Sequence, residues 1–477
     1  MQTLLWHDYE TFGADPRRDR PAQFAAIRTT PELEEIGEPA MFYARPPREL
    51  PPQPDACLIT GIAPQQAERA GLGEAEFAAR VHELIAQPGT CTVGYNSLRF
   101  DDEFTRQMLY RNFFDPYARE WEHGNSRWDL IDLVRMCHAL RPEGIAWPRR
   151  EDGAPSFRLE QLAQANRLDQ AQAHDALSDV RALIGLARLI RLRQPKLWAW
   201  HFALRRKQRA FELLDTVGMT PLLHVSQRYP ASRHCLAVVL PLTAHPARPN
   251  EIIVYDLDAD PTELLALDED DIADRVFTAR ADLPEGVERI ALRTIHANRS
   301  PALAPLSAIR ADDRQRLALD LERAQRHAAR LRAHAGLAEK VREVFRRAAA
   351  ATPAADPELA LYDGFLPESD RALLTKVRGT PPEQLAATAF PFRDPRYPEL
   401  LFRYRARNWP HTLDAAEQAR WAAFRRARLT RATPLSTLTL DDYFARLDAL
   451  RHDPAAQGRL PLLDQLQAWG EELRAGL

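Results

Sequence analysis

The hydrophobic pattern of the first 190 residues predicts a mixture of strands and helices. Residues Leu4 to Glu10 are expected to form a strand, and because side chains alternate between the two faces of a strand, Asp8 and Glu10 point the same way. A meander of strands followed by helices and one more strand indicates an α/β layer with a mixed sheet. The predicted strands are 3–10, 22–29, 39–45 and 91–95, and the predicted helices are 74–86, 101–113, 129–140, 158–167 and 175–193.

The pattern changes after Gln194-Pro195, which ends the long helix. A helical stretch at 196–216 precedes three strands separated by turns rich in Pro and Asp, which predicts a small barrel. Residues 311–350 return to helix, 351–357 form a linker, and 358–477 are helical throughout. The barrel strands are predicted at 236–240, 251–255 and 289–293.

Composition limits the class of protein. A chain of 477 residues exceeds one ordinary core, so two or three domains are expected. The apolar fraction of 45% and charged fraction of 27% are typical of soluble globular proteins, and no apolar run is long enough to span a membrane. The four cysteines form no CxxC pair, so we expect a reducing cytoplasm rather than a zinc or disulfide framework. A net charge of −3 does not by itself indicate a nucleic-acid partner.

The first candidate site is the acidic pair on the first strand. Two carboxylates side by side repel each other, and a hard divalent cation such as Mg²⁺, which takes oxygen ligands, is the usual compensation. Asp8 and Glu10 are therefore candidate metal ligands. Taken alone, such a pair is more often two solvated charges at a sheet edge than a metal site.

Two later segments extend this site. Asp101 opens a helix directly after a strand, although acids at that position also simply favour the positive end of the helix dipole. Asp175 can cap the helix that follows it, which leaves His174 just outside the helix and Asp179 one turn inside. A mobile His174 suits a general base and a fixed Asp179 suits a metal ligand.

Order and spacing together resemble the DEDDh exonuclease superfamily. The pattern is Asp-x-Glu at Asp8, Asn-x-x-x-Phe-Asp ending at Asp101, and His-x-x-x-x-Asp from His174 to Asp179. More narrowly, the chain resembles the bacterial exonuclease I family in segments spread over nearly its whole length. These segments are HDYETFG (7–13), DRPAQFAAIRT (19–29), NSRWDL (125–130), PSFRLE (155–160) and YRARN (404–408).

The resemblance implies an α/β fold in three parts: a ribonuclease H-like exonuclease domain at 1–193, an SH3-like barrel domain with flanking helices at 195–350, and a helical domain at 352–477. These would close into a C-shape around single-stranded DNA. It further implies processive 3′→5′ hydrolysis that releases 5′-mononucleotides, in DNA repair and recombination. The enzyme would act as a cytoplasmic monomer without a membrane partner.

The resemblance also assigns roles to the candidate residues. It implies two Mg²⁺ ions, replaceable by Mn²⁺, with Asp8 bridging them and Glu10, Asp101 and Asp179 completing their ligands. His174 would deprotonate the attacking water, since a histidine near its ordinary pKa is suited to that role. Glu10 and Arg158 would bind the nucleotide at the 3′ end.

A path for single-stranded DNA needs basic side chains and aromatic platforms. The family resemblance favours Arg106, Tyr117, Trp121 and Arg135 as DNA contacts. Tyr117 and Trp121 are four residues apart, as one stacking surface on a helix would require. Core packing is the competing interpretation for each aromatic residue.

Exonucleases of this family are also bound by the acidic C-terminal tail of single-stranded-DNA-binding protein. The positions that resemble its basic pocket are Arg141, Arg310 and Arg332, with Trp200 as an apolar wall. Pro305 stands where a polar residue is expected. Exposed arginines that are simply solvated remain the alternative.

Two rival functions are open to the same sequence. An exoribonuclease or proofreading subunit would keep the chemistry, but such proteins are usually far shorter than this chain. A DNA-binding protein without catalysis would have lost its metal site, whereas all five catalytic positions are filled here.

Overall fold

The computed structural model describes residues 2–168, 176–347 and 354–477. Within these ranges the strands are β1 (Thr3–Thr11), β2 (Pro21–Thr29), β3 (Ala40–Tyr43), β4 (Thr90–Gly94), β5 (Ser126–Asp129), β6 (Leu222–Val225), β7 (Leu236–Ala244), β8 (Glu251–Asp256), β9 (Leu292–His296) and β10 (Ala302–Pro305).

The α-helices of the described ranges are α1 (Pro54–Thr60), α2 (Pro64–Ala70), α3 (Glu74–Ile85), α4 (Asp101–Arg111), α5 (Leu130–Leu140), α6 (Leu159–Ala165), α7 (Ala176–Arg193), α8 (Pro195–Ala203), α9 (Lys207–Leu213), α10 (Thr262–Ala266), α11 (Glu269–Phe277), α12 (Ala311–Arg316), α13 (Leu321–Ala333), α14 (Leu337–Arg347), α15 (Glu368–Gly379), α16 (Tyr397–Asn408), α17 (Ala415–Thr430), α18 (Leu440–Arg451) and α19 (Leu460–Ala475). No helix of the described ranges has the length and apolar content needed to cross a bilayer.

The chain divides into two compact units that do not follow the sequence linearly. The first comprises the described residues of 1–126, 170–184 and 353–477, and the second those of 127–169 and 185–352. Strand β5 and helix α7 each contribute residues to both units. The domain boundaries 1–193, 195–350 and 352–477 therefore stay a prediction from the sequence.

The first unit is built on a mixed sheet in which β1 is central. The strands that lie wholly within this unit follow the order β3-β2-β1-β4, with β1 antiparallel to β2 and parallel to β4. Leu5 and Tyr9 of β1 point into a core shared with Phe77 of α3 and Met108 of α4. Because side chains alternate along the strand, Asp8 and Glu10 are directed to the opposite face.

The C-terminal helices pack onto this sheet unit through an apolar cluster and through buried ion pairs. Tyr443 of α18 and Leu463 of α19 share a core with Phe12 and with Cys57 of α1. Arg407 of α16 donates to Glu49 at 2.7 Å and to Glu358 at 2.9 Å, and the Arg20–Glu358 pair is also buried at 2.9 Å. Buried charges require such pairing, since an unpaired ion in the interior is costly. The network of ion pairs comprises Arg20, Glu49, Glu74, Arg111, Asp356, Glu358, Arg403, Arg407 and Arg428.

The second unit contains an antiparallel five-stranded sheet in the order β10-β6-β7-β8-β9. One face packs against a core that includes Met136 of α5 and Val341 of α14, and the other against Leu204 and Ala210. The predicted strand at 289–293 is wrong in position: β9 begins at Leu292, three residues later. Tyr255 of β8 already pairs with Leu292, and β8 ends at the next residue, so Arg289 and Ile290 have no partner strand there.

Candidate metal centre and substrate-contact residues

Strand β1 presents two carboxylates on one face. Asp8 and Glu10 lie opposite Ala25 and Gln23 of β2, and the pairing register shifts just beyond, between Glu10 and Thr11. Asp8 is half-buried and Glu10 is buried. Because β1 is hydrogen-bonded between two neighbouring strands, the positions of both carboxylates are fixed by the sheet.

Helix α7 brings a third carboxylate to the same place. One carboxylate oxygen from each of Asp8, Glu10 and Asp179 lies within 4.8 Å of the other two. The helix packs through buried apolar residues close to Asp179: Val180 follows it directly and Leu183 lies one turn further along. Residues about 170 positions apart in the sequence therefore form one cluster of oxygen ligands.

Asp101, at the first position of α4, lies beside this cluster but is not one of the three acids whose oxygens lie within 4.8 Å of one another. Its side chain is buried, and the backbone N–H of Tyr9, between Asp8 and Glu10 in the sequence, donates to Asp101 Oδ1 at 3.2 Å. Burial and, after it, the negative charge of Asp8 raise the pKa of Asp101. Asp101 thus lies near the acidic pair of β1, as the spacing of the motifs predicts.

The electrostatics of Asp8 and Asp101 favour a bound cation. Burial, together with the charge of Asp179, raises the pKa of Asp8 to about 8. Burial and the charge of Asp8 also hold the pKa of Asp101 well above its usual range. Asp8 is costly to ionise, and its carboxylate converges with those of Glu10 and Asp179. This arrangement fits a hard divalent cation, which would stabilise the charged forms.

His174 lies outside the described residues, but the helix that follows it is anchored beside the site. The N–H of Ala176, the first residue of α7, donates to Gln23 Oε1 at 3.4 Å. Gln23 is buried and lies directly opposite Glu10 in the β1–β2 pairing. Gln23 could not be recognised from the sequence, because one glutamine in a strand gives no signal before its partner strand is known.

Arg106 is buried in the first unit, with its guanidinium facing carboxylates. Its Nε and Nη2 donate to the two oxygens of Glu120 at 2.7 and 3.0 Å, and Nη1 donates to Glu103 at 2.9 Å. Nη1 also lies 3.3 Å from the hydroxyl of Tyr362. Its assignment as a phosphate contact stays a prediction.

Tyr117 and Trp121 share a surface, although the helical spacing proposed for them is wrong. A short 3₁₀ helix, Ala118–Glu120, lies between them, and Trp121 at its end has φ −149° and ψ −25°, which is not α-helical. Both side chains nevertheless line one cavity of about 180 Å³, and Trp121 is 60% exposed.

The same cavity is lined by Phe365, an aromatic residue that the sequence motifs did not indicate. Phe365 is 88% exposed and its ring centroid lies 6.1 Å from that of Tyr117. Tyr362 is close by in sequence and 51% exposed. Two aromatic residues flanking Gly364 in a stretch without helix were the available signal, but they lie far from the other motifs in the chain.

The two arginines Arg135 and Arg158 belong to the second unit. Arg135 is buried, donates to Asp132 at 2.7 Å and lies 3.3 Å from Gln227 Oε1. Arg158 is the residue just before α6 and leaves three-quarters of its side chain exposed, with Glu160 3.9 Å away. Arg158 is thus the more accessible of the two to a phosphate.

The residues predicted to form a partner pocket also lie in the second unit. Arg141 and Arg310 both approach Asp313, at 3.5 and 2.9 Å, and Arg310 also donates to Glu143 at 2.6 Å. Trp200 donates its indole N–H to the carbonyl of Leu303 at 2.7 Å. Arg332 donates to the carbonyl of Met219 at 2.6 Å. Two of the three arginines therefore lie side by side.

Known proteins match this chain over nearly its whole length. The families described as "Exonuclease", "Exonuclease I SH3-like domain" and "Exonuclease I C-terminal domain" match residues 5–187, 205–347 and 355–473. Exodeoxyribonuclease I of Escherichia coli is 47% identical over 430 residues, which cover 90% of each chain.

Solved structures give the same result. Exonuclease I from Methylocaldum szegediense is 53% identical with a TM-score of 0.95, covering 99% of this chain and 100% of that one. E. coli exonuclease I in complex with a dA16 oligonucleotide is 44% identical with a TM-score of 0.94 and the same coverage.

Proposed function

The chain belongs to the exonuclease I family, and we propose that it hydrolyses single-stranded DNA processively from the 3′ end, releasing 5′-mononucleotides in DNA repair and recombination. It is an exodeoxyribonuclease with an exonuclease domain, an SH3-like domain and a C-terminal helical domain. The observation that carries the proposal is the convergence of the Asp8, Glu10 and Asp179 carboxylates within 4.8 Å. In this proposal the enzyme acts in the cytoplasm as a monomer.

The four acids Asp8, Glu10, Asp101 and Asp179 would hold two divalent ions, Mg²⁺ by preference with Mn²⁺ as a substitute. When bound, such ions supply a nucleophilic hydroxide and stabilise charge on a phosphodiester. The protein contributes fixed ligand positions: two on one strand, one at a helix start and one inside a helix. Rigid elements of this kind hold reactive groups more precisely than loops do.

The remaining catalytic roles fall to three side chains. His174 accepts the proton of the attacking water, because imidazole is the side chain most often used as a general base at neutral pH. Arg158, exposed at the start of α6, binds the terminal phosphate as a planar fork. Glu10 hydrogen-bonds the terminal nucleotide as well as serving as a metal ligand.

The DNA path includes Tyr117, Trp121 and Phe365, whose exposed rings suit base stacking without sequence preference. Arg106 and Arg135 contribute to it after exchanging their present carboxylate partners for phosphates. Stacking on every base type explains how one enzyme can act on any sequence.

The partner site is supported by the paired guanidiniums of Arg141 and Arg310. We assign it, together with Arg332 and Trp200, to the acidic C-terminal tail of single-stranded-DNA-binding protein. Asp313 and Glu143 compete with such a tail for the same arginines, so binding should be sensitive to salt.

The experiment that tests this function compares three substrates of one sequence: single-stranded DNA, duplex DNA and single-stranded RNA, each with Mg²⁺. We expect rapid release of mononucleotides from single-stranded DNA alone. Preferential degradation of RNA would indicate an exoribonuclease instead. Binding of single-stranded DNA without release of nucleotides would indicate a DNA-binding protein without catalysis.

A further inference from the structure

A second charged cluster lies close to the four carboxylates, and none of the sequence motifs accounts for it. Asp102 follows Asp101 in α4, and Arg119 lies in the short 3₁₀ helix Ala118–Glu120. Both side chains are almost completely buried, at 2% and 1% exposure. Burying two ionised side chains is costly because both lose their hydration, so the presence of this ion pair requires an explanation.

Arg119 is held at two points beside the sheet. Its Nη2 donates to Asp102 Oδ1 at 2.6 Å, and its Nη1 lies 3.3 Å from the hydroxyl of Thr92 on β4. Thr92 pairs with Leu5 of β1, three residues before Asp8. The guanidinium therefore connects the first turn of α4 to a strand next to β1.

The residue after Arg119 makes a second connection to the same helix. Glu120 receives two hydrogen bonds from Arg106, one turn along α4 from Asp102. The segment from Tyr117 to Trp121 is thereby fixed to α4 at both its first and second turns. The aromatic surface and the helix that begins at Asp101 are consequently linked by two buried ion pairs.

We propose that Arg119 is a positioning residue for the metal centre: by holding Asp102, it sets the orientation of the first turn of α4 and so the position of the Asp101 carboxylate. The inference rests on the proposed function, in which Asp101 is a metal ligand. Residues that orient metal ligands typically affect metal affinity or activity by about 10- to 100-fold when they are replaced.

The test measures Mn²⁺ binding by calorimetry without DNA, together with kcat and KM on single-stranded DNA. For Arg119→Gln we expect Mn²⁺ affinity and kcat to fall by at least about tenfold, while KM for DNA changes far less. Arg119→Lys, which keeps the charge but not the planar fork, should recover part of both values.

Two further variants separate positioning from loss of stability. Arg119→Gln combined with Asp102→Asn leaves no unpaired buried ion and should fold, yet it should still bind Mn²⁺ weakly. Arg111→Gln is the matched control, because Arg111 pairs with Glu74 at 2.9 Å from the last turn of the same helix. It should lower the melting temperature without changing Mn²⁺ affinity.

Asp101→Asn distinguishes failure of this inference from failure of the proposed function. If Asp101→Asn loses Mn²⁺ affinity while the double variant binds Mn²⁺ as the wild type does, Arg119 has no positioning role and the proposed site stands. If Asp101→Asn itself binds Mn²⁺ normally, the proposed ligand set is wrong. Equal losses of Mn²⁺ affinity in Arg111→Gln and Arg119→Gln would show a general effect of helix stability and overturn the inference.

Discussion

At the scale of single residues, the central feature is the mutual repulsion of acidic side chains that are largely shielded from water. Asp8 is the clearest case, since burial and Asp179 raise its pKa from 3.8 to about 8. The alternation of a strand was enough to predict that Asp8 and Glu10 share a face. The proximity of Asp179 could be predicted only from the motif, because no local rule relates a strand to a helix 170 residues later.

The raised pKa of Asp8 predicts how the stability of the metal-free protein depends on pH. Between pH 4 and pH 8, roughly the unfolded and folded values, the folded state keeps a proton that the unfolded state releases, so stability falls as pH rises. Asp8→Asn removes this pH dependence. In the presence of chelator, the melting temperature of the variant should therefore exceed that of the wild type at pH 8 but not at pH 4. Asp152→Asn, at an exposed acid, is the control and should change neither value. Parallel pH profiles for wild type and Asp8→Asn would contradict the interpretation.

His174 should behave as a general base and not as a binding residue. His174→Ala is expected to reduce kcat by about 10²- to 10⁴-fold, the usual effect of losing such a group. Affinity for single-stranded DNA, measured with Ca²⁺ in place of Mg²⁺, should persist. A parallel loss of affinity and rate would make His174 a substrate contact or a structural residue instead.

At the scale of elements, the sequence predicted those whose own residues determine them. The strands β1 to β4 and the helices α3 to α7 lie close to their expected positions because apolar periodicity and helix ends are local signals. The short helices α1 and α2 and the strands β5, β6 and β10 were missed. Leu222–Val225 and Ala302–Pro305 pair with each other, and four-residue strands carry too little periodicity to be recognised without their partner.

The aromatic residues that line the cavity beside Tyr117 give a prediction about DNA binding. Trp121→Ala and Phe365→Ala should each weaken binding of single-stranded DNA by about tenfold, since stacking one base on an aromatic side chain contributes roughly 1–3 kcal/mol. Fluorescence anisotropy with Ca²⁺ present measures this without cleavage. Phe277→Ala, at another exposed aromatic residue, should bind as the wild type does. Unchanged affinity in both test variants would exclude the aromatic cavity from the DNA path.

At the scale of the whole molecule, the family resemblance predicted three domains, and the matched families confirm an exonuclease domain, an SH3-like domain and a C-terminal domain. The packing of the C-terminal helices could not be predicted in the same way. Leu447 and Leu463 lie on apolar faces of α18 and α19, but an apolar face does not indicate which element packs against it. The contact with Cys57 of α1 could therefore not be predicted. The buried arginine network was equally invisible, because most arginines in a sequence are exposed.

The partner pocket yields a prediction about the second unit. Arg310→Glu places a third acid beside Asp313 and Glu143, so an acidic tail peptide should bind at least about tenfold more weakly, as expected for a lost charge-assisted contact. Nuclease activity on naked DNA should be unchanged, and Arg459→Glu, an exposed charge reversal elsewhere, should affect neither. A fluorescent tail peptide titrated against each variant gives the affinities. Equal affinities would place the tail elsewhere, and a reduced nuclease rate would assign Arg310 to the DNA path.

The most direct test of the proposed metal-dependent nuclease follows a single-stranded oligonucleotide labelled at its 5′ end in one sample and at its 3′ end in another. With Mg²⁺, we predict immediate release of a labelled mononucleotide from the 3′-labelled strand and progressive shortening of the 5′-labelled strand. Chelator, Asp8→Ala and Asp179→Ala should each abolish both signals while the variants remain folded. Degradation that persists in chelator, or wild-type turnover in either variant, would contradict the assignment of these carboxylates as the metal centre.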